Sequence, residues 1–202
     1  MPNNNEDPKP IRKTWTMLKK ADTSVAFETN IIPKFEVATT NVCTTTDKYG
    51  TWTCSYSNTA ITTVSKAFDH DASTALVSTE FNDKKLNEYV ELVLPDYVSI
   101  NPTLIRQRLR HNADKTMAYY YDFNMTVQGY DSSTDTWEVI TASVLVQSDN
   151  VARDYDMPVL TDKYYSKFRF YVKNTKKNWM AYDKCITHAI EIVSGKIKKI
   201  VG

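Results

Sequence analysis

Residues 123–130, Phe-Asn-Met-Thr-Val-Gln-Gly-Tyr, alternate apolar and polar side chains without a break. Successive side chains of a strand point to opposite faces, so a run of this kind folds with one face in a core and the other in water. The period recurs along the chain. Thr51 to Tyr56 alternates, and Glu88 to Leu94 puts Val90, Leu92 and Leu94 on one face before Pro95-Asp96 ends it. Ile105 to Arg110 is a strand with a basic outer face, and Trp137 to Ile140 follows the turn cluster at 131–135. Lys167 to Val172 alternates, and Cys185 to Val193 places Ile186, His188, Ile190 and Ile192 on one face. Phe35-Glu36-Val37 and Val144-Leu145-Val146 are shorter candidates. No run of ten residues carries a convincing helical period. Short strands separated by turn signals predict an all-β chain, an antiparallel jelly-roll β-sandwich.

The chain has 202 residues, enough for one domain with a sizeable core. Its formal net charge of +1 gives no global attraction to nucleic acid or anionic membranes, so neither is an expected partner. No apolar run approaches the roughly 18 residues of a membrane helix, and the polar, Pro-rich start lacks the apolar core of a signal peptide. Neither membrane insertion nor a signal peptide is expected. Cys43, Cys54 and Cys185 have no C-x-x-C spacing. Cys43 and Cys54 can bridge neighbouring strands, but the odd count favours reduced thiols and assembly in a reducing cytoplasm.

Three regions are expected: an arm over 1–34, a sandwich over 35–195 and a basic tail over 196–202. Residues 11–20 read equally as a short helix or a strand. Within them Trp15, Met17 and Leu18 are more apolar than a free tail requires. They pack back on the domain or dock on a partner protein.

Residues 66–78 crowd Asp69, Asp71, Ser73 and Thr74 into one bend. Such a loop wraps a hard cation or caps itself as an Asx-turn. An EF-hand fits poorly, because no Gly stands at the sixth position and no helices flank the loop.

The ordered set of pieces resembles the discoidin, or coagulation-factor C-type, domain, whose fold the galactose-binding-like carbohydrate-binding modules share. The matching pieces are Trp52 to Ser57, Ala67 to Ser78, Tyr89 to Pro95, Phe123 to Trp137, Phe168 to Val172 and Glu191 to Ile192. His70 stands where the family has Gly, and Leu76 where it has Trp. The resemblance implies a structural Ca2+ held by Asp69, Asp71, Thr74 and Glu191. It also implies a glycan site at one end, with Arg110, His111 and Asn112 as polar ligands and Trp179 or Tyr182 as the stacking platform.

The layout is similar to small bacteriophage tail-fibre and attachment domains, through Ile32-Pro33-Lys34, Tyr49-Gly50-Thr51-Trp52 and Lys66-Ala67-Phe68-Asp69. That resemblance implies a virion surface protein, with the arm on other virion proteins and the sandwich facing host glycans. The alternatives are a decoration or connector protein that binds no sugar, and a cellular lectin-like module. A homo-oligomer such as a trimer suits a fibre protein, but no heptad enforces one. No nucleophile elbow, zinc-helix motif or phosphate-binding Gly loop is present, so binding rather than catalysis is expected.

Overall fold

A computed structural model describes residues 24–78, 87–112, 123–146, 149–174 and 184–200. They form two antiparallel sheets packed face to face. One contains β1 (Ser24–Phe27), β4 (Leu76–Val77), β6 (Val98–Asn112), β10 (Arg153–Pro158) and β12 (Lys184–Lys199). Its order is β1-β12-β6-β10, with β4 also paired to β12. The other contains β2 (Val42–Asp47), β3 (Gly50–Tyr56), β5 (Asn87–Val93), β7 (Phe123–Asp131), β8 (Thr136–Val139), β9 (Val144–Val146) and β11 (Lys167–Asn174). Its order is β2-β3-β5-β11-β7-β8, with β9 on β7. The chain is an all-β antiparallel sandwich.

The alternation in the sequence becomes the division between core and surface. Phe123, Met125 and Val127 are buried, while Asn124, Thr126 and Gln128 face outward. Trp52, Leu92, Ile105, Phe168, Phe170 and Ile192 fill the space between the sheets. Burial of each such side chain stabilises the fold by about 1.5–3 kcal/mol. Trp52 also needs a partner for its indole N–H, and Asp47 Oδ1 accepts it at 2.9 Å. The same oxygen accepts the backbone N–H groups of Tyr49 and Gly50 and so closes the β2–β3 turn.

Several boundaries differ from the sequence reading. Phe35–Val37 is not a strand. Phe35 plugs the core from a coil segment, donating its N–H to Phe68 O at 3.0 Å with its ring 5.5 Å from that of Phe68. Residues 24–34 belong to the sandwich rather than to an arm: β1 pairs with Gly195–Lys198, and Ile32 is buried. Lys196–Lys199 is likewise strand and not tail. Ile197 alone points inward there, while Lys198 Nζ lies 4.4 Å from the Tyr164 ring centre and Lys199 Nζ donates to Tyr49 O at 2.8 Å. The expected docking residues Trp15, Met17 and Leu18 lie outside the described residues.

The outer faces of the two sheets differ. On the first, Arg106 pairs with Asp156 at 2.7 Å and Arg108 with Asp154 at 3.1 Å. On the second, the Arg169 guanidinium lies 3.9 Å from the Trp137 ring centre and 4.6 Å from that of Tyr89, and Nε reaches Glu91 at 2.7 Å. The registers differ as well. The pairing of β12 with β6 shifts at Thr187/Ala189, Ile192/Ser194 and Ser194/Gly195, whereas β11 pairs with β5 and β7 without interruption. Cys43 stands opposite Cys54 across β2 and β3, and all three cysteines are buried free thiols. Burial, reinforced by Cys43, pushes the Cys54 thiol well above its ordinary pKa. Burial pushes Cys185 up to about 12.

Candidate functional site

Strand register gathers many chain connections at one end of the sandwich. Asn112 closes β6 opposite Lys184, the first residue of β12. Phe123 opens β7 opposite Asn174, the last residue of β11, and Asn87 opens β5 opposite Lys173. Ser78 N donates to Cys185 O at 2.9 Å, and Cys185 N to Ser78 Oγ at 2.9 Å. The connections 79–86, 113–122 and 175–183 all join the described residues here. Trp179 and Tyr182 fall in the last of these, outside the described residues.

Arg110 ends the strand read from the sequence, but β6 runs on through His111 to Asn112, so all three expected polar ligands lie on the strand. His111 takes the inward side with Ile105, Gln107 and Leu109 and is 0% exposed. Its ring lies edge-on to Phe123, 4.2 Å between centres. A ring so enclosed presents nothing at the surface. Arg110 faces outward with Arg106 and Arg108. β10 sets Asp156 and Asp154 opposite those two, but begins at Arg153, opposite Leu109. The register therefore offers Arg110 no carboxylate. Its Nε is buried and has no hydrogen-bond partner among the described residues. Asp149, four residues before Arg153, is taken by that arginine, whose guanidinium holds the carboxyl down at about 2.

The acidic loop is self-capped. Asp69, 2% exposed, accepts Asp71 N–H at 2.9 Å on one oxygen and the Thr74 hydroxyl at 2.5 Å on the other. Asp71 Oδ1 accepts both the N–H and the hydroxyl of Ser73, which lowers its pKa. His70 adopts φ +57°, the left-handed conformation that explains Gly at this point of the resemblance. The carbonyls of Ala72 and Thr74 converge on His188 Nδ1 at 3.1 and 3.0 Å. Carbonyls only accept, so Nδ1 carries the proton. His188 is the extra residue of the first β12 bulge, and a bulge re-aims its side chain. It thus leaves the apolar face on which alternation places it.

This donor set was tested against the calcium ion that the resemblance implies. Glu191 lies opposite Arg106, whose charge it helps hold. Among the described residues no three His, Cys, Asp or Glu side chains come together as metal ligands. The loop's carboxylates and two converging carbonyls already accept from N–H and O–H donors. As arranged, the loop does not fit calcium. Sequence reasoning missed the His188 contact because only the bulge creates it.

No family model matches the chain, and no curated protein matches it. Among solved structures, it is similar to the C-terminal domain of a chitobiase from Bacteroides fragilis, at 9% identity and a TM-score of 0.47, covering 76% of this chain and 98% of that one. It is similar to an F5/8 type C domain from Bacteroides fragilis, at 14% identity and a TM-score of 0.46, covering 80% and 99%. A family 32 carbohydrate-binding module from C. perfringens, solved with galactose, gives 8% identity and a TM-score of 0.44, covering 72% and 93%. The sandwich assignment rests on the two sheets of this chain.

Proposed function

We propose that this protein is a non-catalytic glycan-binding module, with its ligand at the end of the sandwich where Arg110 stands. The observation that carries the reading is the Arg110 guanidinium: the third of an outward row whose other two members are neutralised, with a buried Nε that has no partner among the described residues. A buried donor without an acceptor costs about 1–3 kcal/mol and calls for an explanation. A sugar hydroxyl or carboxylate supplies one, since the guanidinium fork binds paired oxygens. Asn112, on the same strand end, and Trp179 and Tyr182, from the connection that rejoins at Lys184, complete the site in this reading. His111 takes no part in it.

The setting in this proposal is a virion surface, assembled in a host cytoplasm. The segment containing Trp15, Met17 and Leu18 docks on other virion proteins and the sandwich faces host glycans. The resemblance of sequence segments to phage attachment domains supports that setting.

The test is a glycan array with the wild type, Arg110→Ala and Trp179→Ala, each checked for an intact β circular dichroism spectrum. Binding by the wild type that both variants lose by at least tenfold supports the reading. A blank array from folded wild-type protein overturns it in favour of a connector that binds no sugar.

A further inference from the structure

We infer that the opposite end of the sandwich holds a second glycan site, a cleft beside Tyr97 that takes one neutral pyranose residue. This inference rests on the glycan-binding reading but uses other residues. The cleft has a volume of about 320 Å³, within the range of small-ligand sites. It opens at the turn between β5 and β6. Twelve residues of strand separate Val98 from Arg110, on the order of 35–40 Å at about 3.3 Å per residue. The two sites are therefore separate.

Tyr97 is the feature that needs a reason. Val98 N–H donates to Pro95 O at 3.1 Å and closes a turn in which Tyr97 is the third residue. Its φ is +63°, where Gly or Asn is the low-strain choice and a bulky ring is not. The strain gains nothing from packing, because Tyr97 is 72% exposed. A strained backbone that projects an aromatic ring into solvent points to what the ring meets there.

The walls supply the rest of a sugar site. Asp96 and Ser99 flank Tyr97, Ser132 comes from the β7–β8 turn, and Ser166 and Lys167 stand at the start of β11. The three serine hydroxyls and the Asp96 carboxylate make no side-chain hydrogen bond among the described residues. Lys167 Nζ sits 4.6 Å from the Tyr130 ring centre. A pyranose offers a C–H face for the Tyr97 ring and a rim of hydroxyls that both donate and accept. Serine hydroxyls match both roles, a carboxylate accepts from a vicinal diol, and an ammonium donates. The opposite charges of Asp96 and Lys167 favour a neutral ring over an acidic one.

The test is an amide chemical-shift titration of the full chain with the methyl glycosides of galactose, glucose, mannose and N-acetylglucosamine. The expected result is that at least one probe shifts the amides of 96–99 and 166–167. Those shifts persist in Trp179→Ala and vanish in Tyr97→Gly and Tyr97→Asn. Both Tyr97 variants should melt no lower than the wild type, since each relieves the left-handed strain. Shifts confined to the Arg110 end overturn the cleft and leave the first reading standing. No shift with any probe overturns the cleft, and the glycan array alone decides the first reading. A lower melting temperature in both Tyr97 variants assigns the ring a packing role and also overturns the cleft.

Discussion

On the outer face of the first sheet, Arg106 and Arg108 reach carboxylates on the edge strand β10, and the Arg106–Asp156 side chains are 36% and 50% exposed. On the second, Arg169 lies between Trp137 and Tyr89 and pairs with Glu91, with exposures of 24% and 21%. Water screens the first kind of pair, which contributes about 0–1 kcal/mol. Aromatic rings exclude water from the second and add an attraction of roughly 0.5–2 kcal/mol. The registers divide in the same way. The second sheet is a regular slab, while the first carries the bulges that turn His188 onto the acidic loop. One sheet holds the fold, and the other accommodates local exceptions, among them Arg110, which has no carboxylate opposite it on β10.

The strongest way to break that contrast is Gly195→Ala. Gly195 sits at a register shift with φ +154°, and an added Cβ would lie 2.3 Å from Asn101 O. Both backbones would have to move, so a loss of about 3 kcal/mol or more is expected in urea denaturation, or failure to fold. A mild loss would mean that the bulge is not rigid. Arg169→Ala should come next, at about 2 kcal/mol, with little dependence on salt. Truncating His188 to Ala should cost about 1 kcal/mol and speed hydrogen exchange at the acidic loop, because two carbonyls lose their donor. In the wild type, calcium or a chelator should leave the melting temperature unchanged; a clear rise with calcium would show that the loop rearranges around the ion. Arg106→Ala should have the smallest effect, below about 1 kcal/mol and fading with salt. If Arg106 and Arg169 cost the same, the contrast between the faces fails.

The regular sheet was the more legible one. β5 and β7 bury one face and leave the other more exposed, so period two marks them directly. β10, an edge strand reading Arg-Asp-Tyr-Asp-Met-Pro, has the composition of a loop because edges are guarded by charge and proline. The basic end of β12 was hidden in the same way. The self-capping of Asp69, Asp71 and Thr74 was readable, since those residue types close turns on their own backbone. His111 was misplaced by ending the strand at Arg110, although the parity of Ile105, Gln107 and Leu109 carries it inward. His188 and Tyr97 were not legible, because one depends on a bulge and the other on a left-handed dihedral that a local pattern does not encode.

The buried thiols give each sheet its own clock. Cys54 lies in β3 of the second sheet and Cys185 in β12 of the first, and burial keeps both protonated far above neutral pH. Alkylating reagents attack the thiolate, so neither sulfur reacts until its strand opens to water. The labelling rate at Cys185 therefore times the opening of the bulged sheet, and that at Cys54 the opening of the regular one, within a single molecule and without an added probe.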